Sequence, residues 1–375
     1  MTDARSGDAV SHAVLALALV LAGVVVVAGA YWLGSRAGDS ARDSAANGAP
    51  SPSTKAQQPP DTGPVILAIS LDGLRPDAIT KLGTKGAPNL HRLMAQGAST
   101  LNARTAYEST RTLPNHTGML TGRGVAGRIG HSVTFNNDNG ETLADTHGAY
   151  VPGMFDVAHD NGRQTAFFAE KDKFYYLMRS WDGTHGRTDT IRADNGRDKT
   201  DVDRVGPPEQ LLAGVEAALL DGRTDLIFLH LTAPDRAGHA DEWMSSEYLR
   251  AVTADDAHVG DILAVVDAHP ELANRLTILL TSDHGGEDDE TTHYDIEDRQ
   301  NHQIPFMAWG RGVPRGADLY DLNPRRRDPG ADRPEYSGPQ PIRNLDVANT
   351  SLRLLGLQPI AGAVVTSWPP LTVSR

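Results

Sequence analysis

No cysteine occurs anywhere in the 375 residues. That excludes disulfides, thiolate metal sites, thiol nucleophiles and any catalytic residue made by modifying a cysteine. Basic residues are also scarce, with 35 Lys and Arg against 48 Asp and Glu, a formal net charge of -13. Such a balance argues against a nucleic-acid polyanion as partner, and no nucleic-acid-binding surface is evident. Internal repeats are lacking too. What the chain does hold in quantity is acid, and clustered acids are places for cations. The remaining composition, 39% hydrophobic and 22% charged, is that of a globular protein with room for one large core or two modest ones.

The one long apolar run lies near the start. From Ala13 to Leu33 there are 21 residues without a charge, enough at about 1.5 Å per residue to span a hydrocarbon core of about 30 Å. Tyr31 and Trp32 sit where an interfacial aromatic belt would lie. The run exceeds the usual apolar region of a signal peptide, although Ala28, Gly29 and Ala30 offer a small-residue cleavage site. Residues 1–12 are therefore read as a tail and 13–33 as a single-pass membrane anchor, with secretion after cleavage as the alternative. Arg5 precedes the span while Arg36 and Arg42 follow it, so counting charges does not by itself favour export. Residues 34–64, rich in Gly, Ser, Ala, Pro and Asp, read as a flexible tether. One catalytic domain is expected over 65–361, with 362–375 trailing over the surface as a Pro-rich tail.

Three short apolar runs organise that domain. Val65 to Leu71 is followed by Asp72, Leu226 to Leu231 leads to Asp235, and Leu276 to Thr281 is followed by Asp283 and His284. Each is continuously apolar and ends in a polar turn, as buried parallel strands do. Amphipathic stretches at 207–220 and 247–267 fall between them, which predicts an α/β fold with a doubly wound, mostly parallel sheet covered by helices on both faces. Ligands of such sheets bind beyond the carboxyl ends of the strands, where all three acids lie. A lone Asp there is an ordinary turn residue. Three of them, with histidines beside them, point to a metal site. Asp235 and His239 are four residues apart, the spacing at which one helical turn can present both to one cation. His293 and His302 follow Asp283 and His284 in an acidic loop. A mixed carboxylate and imidazole set suits zinc or another first-row dication better than magnesium or calcium.

The segment from Glu108 to Arg123, ESTRTLPNHTGMLTGR, supplies the nucleophile candidate. Pro114 fits the first turn of a helix, which puts Thr112 at or just before its N-terminus. On its own that position describes a capping hydroxyl. It is also an anion site, with free N–H groups and the positive end of the helix dipole. A metal ion beside the threonine would lower the pKa of its hydroxyl, and a second would stabilise the leaving oxygen of an in-line displacement.

The ordered set SLDGLRPD, TRTLPNHTGMLTG, HSVTFN, APDRAGH and TSDHGG resembles the nucleotide pyrophosphatase/phosphodiesterase branch of the alkaline phosphatase superfamily, from about Val65 to Leu357. The resemblance implies an alkaline phosphatase-like fold, a catalytic domain outside the cytoplasm, and two zinc ions. It implies Asp72, Thr112, Asp283 and His284 around one ion, and Asp235, His239 and His293 around the other, with His302 as the fallback for the last position. It also implies attack by Thr112, a phosphothreonine intermediate and an asparagine on the phosphoryl oxygen. Asn136 is the first choice for that residue and Asn115 the competitor, with Arg111 as a further phosphoryl contact. Phosphodiester or pyrophosphate substrates, nucleotides among them, are expected; monoesters, phosphonates and an inactive tethered metal-binding module are the alternatives. Specificity is expected in loops 171–206 and 312–340, where Phe174, Tyr175, Tyr176 and Trp181 could stack on a base or cover a lipid group.

Overall fold

The three apolar runs form neighbouring strands at the middle of a single eight-stranded sheet. Its strands are β1 Val65–Leu71, β2 Ala98–Arg104, β3 Gln164–Ala169, β4 Val202–Val205, β5 Thr224–Leu231, β6 Leu276–Thr281, β7 Gln303–Gly310 and β8 Ala317–Asp318, in the order β4-β3-β5-β1-β6-β7-β2-β8. β7 alone runs against the rest, antiparallel to both β6 and β2. This computed structural model describes residues 63–192 and 194–374. The span expected at 13–33 and nearly all of the tether lie outside them. Among the described residues no helix is long and apolar enough to cross a membrane.

Both faces of the sheet are covered, which is why its central strands are unbroken apolar runs rather than alternating ones. Val65, Leu67, Ile69 and Leu71 of β1 pack into a layer with Val252, Val259 and Leu263 of the helix Ser246–Ala268. Ile66 and Ala68 point the other way, toward Leu120 of the helix Thr112–Thr121 and Val347 of the helix Asp346–Leu354. Each fully buried Val, Leu or Ile among them contributes about 1.5–3 kcal/mol. The two amphipathic stretches read from the sequence are the helices Pro208–Leu220 and Ser246–Ala268. The second starts where the Ser245 hydroxyl accepts from the Tyr248 N–H at 3.1 Å, an N-cap.

Two expectations are corrected. Residues 362–374 of the expected tail do not trail over the surface. Val365, Leu371 and Val373 are buried and join the hydrophobic layer, and the Asn323 amide brackets Thr372, accepting from its N–H at 2.7 Å and donating to its carbonyl at 2.8 Å. The apolar residues spaced along this segment seal the edge of the layer, which local proline content does not disclose. Phe174, Tyr176 and Trp181 are also core, fully buried, and only Tyr175 of that aromatic group is exposed, at 48%.

In register, Ser70 of β1 pairs with His230 of β5 on one side and Thr281 of β6 on the other. The three strands therefore end level, and the residues that follow them meet at one edge. Close approach there needs Gly73. Its φ is +71°, and a Cβ on it would lie 3.0 Å from Asp235 Cα.

Candidate active site

Asp72 leaves β1 directly, and its N–H is bonded to the Leu231 carbonyl at 2.9 Å. Asp235 and His239 lie on the helix Ala233–Asp241 that follows β5, and the Asp235 N–H is bonded to the Asp72 carbonyl at 3.1 Å. Asp283 and His284 follow β6. These bonds tie the ends of β1 and β5 together, and the Leu74 N–H, bonded to the Ser282 hydroxyl at 3.0 Å, ties in the end of β6. The side chains fall into two groups, Asp72 with Asp283 and His284, and Asp235 with His239 and His293. Within each group the ligand-type atoms lie within 4.8 Å of one another.

The hydrogen bonds orient these side chains for cations. Each of the three imidazoles gives its Nδ1–H to a backbone carbonyl: His239 to Thr291 at 2.7 Å, His284 to Gly285 at 2.8 Å, and His293 to Thr110 at 2.7 Å. A carbonyl can only accept, so Nε2 of each ring is left as the lone-pair nitrogen, the tautomer that binds metal. Asp283 Oδ1 is held by the Gly73 N–H at 3.2 Å. The remaining atoms, Asp72 Oδ1, Asp235 Oδ1, Asp283 Oδ2, His284 Nε2 and His293 Nε2, are buried with no hydrogen-bond partner. Buried polar atoms left this way cost about 1–3 kcal/mol each, and five of them converging in one place fit a pair of divalent ions.

Electrostatics agree with that reading. Burial together with the neighbouring Asp72 pushes the Asp283 carboxyl up to about 7. Burial opposes charge on His284, but Asp283, Asp72 and Asp235 outweigh it and raise the ring to about 9. Burial would also raise Asp72, yet Lys171, His230 and His284 hold it well below the usual carboxylate range. In the absence of a cation the cluster keeps protons where a cation would sit.

Thr112 is the first residue of its helix, one position inside the cap. The cap position belongs to Arg111, in extended conformation and with no side-chain capping bond. The Thr112 hydroxyl therefore does not cap the helix. Asn136 does: its Oδ1 accepts the Leu113 N–H at 2.9 Å from 23 positions downstream. Pro114 has no N–H, and the Asn115 N–H is bonded to the Arg111 carbonyl at 3.1 Å, so the N–H of Thr112 itself is the free donor of this first turn. The Thr112 carbonyl accepts from His116 Nδ1 at 2.8 Å, and His116 Nε2 in turn accepts from the Ser70 hydroxyl at 2.8 Å. Burial keeps His116 neutral, its pKa well below the ordinary value.

The other proposed residues fall out differently. Asn115 is buried, and both of its amide hydrogens are used, on the Ser109 carbonyl at 2.7 Å and the Arg111 carbonyl at 3.1 Å. No donor remains for a phosphoryl oxygen, so its place as a substrate contact is corrected to a clamp on the turn before the helix. Arg111 is exposed, with its guanidinium 5.0 Å from the centre of the Tyr294 ring. His302 stands apart from both groups, buried beside Arg104, Arg333 and Arg343; burial first, then those cations, lower it to about 3.

Sequence reasoning missed Lys171, His230, His116 and Asn344. Lys171 Nζ lies 2.6 Å from Asp72 Oδ2 and 2.5 Å from Asp235 Oδ2. His230 Nδ1 accepts from the Glu170 N–H at 3.3 Å, which makes its Nε2 the donor to Asp72 Oδ2 at 2.9 Å. Asn344 donates to the Asp283 carbonyl at 3.3 Å and to Asn115 Oδ1 at 3.2 Å. One signal was available for Lys171: TAFFA is a short apolar run bounded by polar turns, and Lys171 stands two residues beyond it.

Comparisons with known proteins agree with this architecture. Residues 66–337 match the family model of type I phosphodiesterase / nucleotide pyrophosphatase. Ectonucleotide pyrophosphatase/phosphodiesterase family member 1 of Mus musculus is 27% identical over 240 residues, 62% of this chain; the Rattus norvegicus protein of the same name matches equally. The chain spans about a quarter of the length of these relatives, 25% of each. Among solved structures, murine ectonucleotide pyrophosphatase/phosphodiesterase 5, as an inactive variant in complex with AMP, aligns with a TM-score of 0.54 at 13% identity, over 79% of this chain and 96% of that one. The structure of Ps i-CgsB aligns at 0.52 and 16%, over 82% and 76%. At such identities these two likenesses speak for the fold.

Proposed function

Because the chain belongs to the type I phosphodiesterase / nucleotide pyrophosphatase family, we propose that its folded domain hydrolyses phosphodiester or pyrophosphate bonds through a phosphothreonine intermediate. The observation that carries the reading is the gathering of two sets of ligand-type side chains, five of their atoms buried and unpartnered, in a chain whose Thr112 begins a helix without spending its hydroxyl on the cap. Asp72, Asp283 and His284 with Thr112 would hold one divalent ion, and Asp235, His239 and His293 the other; zinc is favoured by three imidazoles among the ligands. Ions bound there supply positive charge that lowers the hydroxyl pKa and neutralises the leaving oxygen.

The chain's own residues do the remaining work. The Thr112 Oγ forms a bond to phosphorus as the bond to the leaving alcohol or phosphate breaks, and water then displaces the threonine oxygen and restores the hydroxyl. Two in-line displacements leave the configuration at phosphorus unchanged. The bond from His116 to the Thr112 carbonyl and the bond from Asn136 to Leu113 fix the first helical turn, so the nucleophile is held before substrate arrives. Once its Oδ1 is committed to Leu113, the Asn136 amide has its NH2 group to offer a phosphoryl oxygen, as the Thr112 N–H does. Nucleotides are the first substrates to test, since the relatives carry nucleotide pyrophosphatase in their names and the related murine structure holds AMP. Residues 13–33 are proposed to anchor the domain to the cell membrane, outside the cytoplasm; recovery of the full chain in a detergent-free soluble fraction would count against this.

The direct test is Thr112→Ala assayed on a bis-aryl phosphate with zinc supplied. Turnover falls to background while zinc content stays near that of the wild type. Wild-type turnover in this variant, or wild-type activity indifferent to chelator, removes the proposal.

A further inference from the structure

Asp72 and Asp235 belong to different ion groups, yet both divide their oxygens in the same way. The Oδ2 of each is paired with Lys171 Nζ, at 2.6 Å and 2.5 Å. The Oδ1 of each has no hydrogen-bond partner and faces imidazole nitrogen: Asp72 Oδ1 lies 3.2 Å from His284 Nε2, and Asp235 Oδ1 lies 3.4 Å from His239 Nε2. The ammonium therefore occupies one side of both carboxylates and leaves the other side open. We propose that Lys171 is a permanent cationic bracket between the two ion sites, a positioning residue that holds Asp72 and Asp235 by their outer oxygens, not a place-holder that incoming ions expel. The inference rests on the two-ion reading above.

Three features support a fixed position. Lys171 follows β3, whose partner β5 leads to Asp235. The preceding residue is anchored twice: the Glu170 N–H donates to His230 Nδ1 at 3.3 Å, and Glu170 Oε2 accepts the Thr232 N–H at 2.9 Å. The Lys171 side chain is itself mostly buried, 16% exposed. Three carboxylates share this enclosed space, and without a resident cation their charges would be uncompensated whenever ions are absent. With ions bound, the same charges are met from the other side. The bracket thus matters most to the ion-free protein, and the ions need not displace it.

The experiment compares wild type, Lys171→Met and the control Lys81→Met, an exposed lysine on the helix Pro76–Gly86. Each protein is stripped with chelator, reloaded with zinc, and followed by thermal unfolding and zinc content. Stripped Lys171→Met should melt at least about 5 °C below stripped wild type, the gap should shrink on zinc loading by more than half, and Lys81→Met should follow wild type in both states. Aggregation of Lys171→Met on stripping, with a folded zinc-loaded form, is the same result carried to completion. Equal melting of the stripped proteins overturns the bracket, as does a gap that zinc leaves unchanged. A tenfold or greater gain in zinc affinity in Lys171→Met would also overturn it, since that marks a competitor of the ions. Wild type that takes up no zinc overturns the two-ion reading instead, and the stripped melts then decide the bracket alone.

Discussion

Asn136 offers a way to separate folding from catalysis, because its two amide atoms have different tasks. Oδ1 caps the Thr112 helix through the Leu113 N–H at 2.9 Å, and the NH2 group is the one proposed to meet the phosphoryl oxygen. Asn136→Ala removes both. Loss of a helix cap costs about 1 kcal/mol, which in a domain of this size is about 2 °C of melting temperature. Loss of one oriented donor to a developing oxyanion costs about 100- to 1,000-fold in kcat. Asn136→Asp keeps an acceptor for Leu113 and adds negative charge at the positive end of the helix, so stability should equal or exceed that of wild type by a few tenths of a kcal/mol, about 0.5. It supplies no donor and faces the phosphoryl group with like charge, so its kcat/KM should fall at least as far as that of the alanine variant. Thermal unfolding and steady-state hydrolysis of a bis-aryl phosphate, run on both variants, read the two tasks independently. An aspartate variant with near wild-type kcat/KM would refute the donor role and leave Asn136 as a cap alone.

Three further outcomes are expected. His293→Ala should lower bound zinc by about one ion per chain, whereas His302→Ala should keep both ions and lose only stability, because His302 lies among arginines away from both groups; metal analysis of the two proteins decides. Zinc uptake should strengthen as pH rises through about 7 and on to about 9, because binding must displace protons from Asp283 and His284. Both folded pKa values lie above the ordinary ones, so the stripped protein should lose stability as pH rises: Asp283 contributes its loss between about 4 and 7, and His284 between about 6.5 and 9. Calorimetric titration and stripped melts at several pH values check the pair of signs. Deleting residues 362–374 exposes the layer that Val365, Leu371 and Val373 close, about 1.5–3 kcal/mol for each buried side chain, so the truncated protein should melt several degrees lower or fail to stay soluble; an unchanged melting temperature would return this segment to the status of a tail.

Much of the scaffold was legible because burial on both faces leaves a local mark. β1 and β6 begin and end where their apolar runs do, Val65–Leu71 and Leu276–Thr281, and β5 extends its run by two residues to Thr224. The helices Pro208–Leu220 and Ser246–Ala268 lie within a residue of their amphipathic stretches. The reversed direction of β7 was not legible, since an apolar run carries no sign of the direction it takes beside its neighbours. The short strands β3 and β4 escaped, and Lys171 with them.

The sequence by itself determined the inventory of this site: strand-end carboxylates, histidines at ligating distances along the chain, a threonine at a helix start, and no sulfur to compete with them. Types and spacings of residues are local properties, and they are enough to name a chemistry. Only the tertiary structure decided how the atoms are used. It assigned capping to Asn136 and not to Thr112, spent the Asn115 amide on backbone carbonyls, put His293 rather than His302 beside Asp235, and drew Lys171 between Asp72 and Asp235. Apart from the local Asn115 bonds, each of those choices is a contact between residues well separated in the chain; the two at Asp72 and Asp235 form because parallel strands of equal extent end together, and no local pattern carries that information.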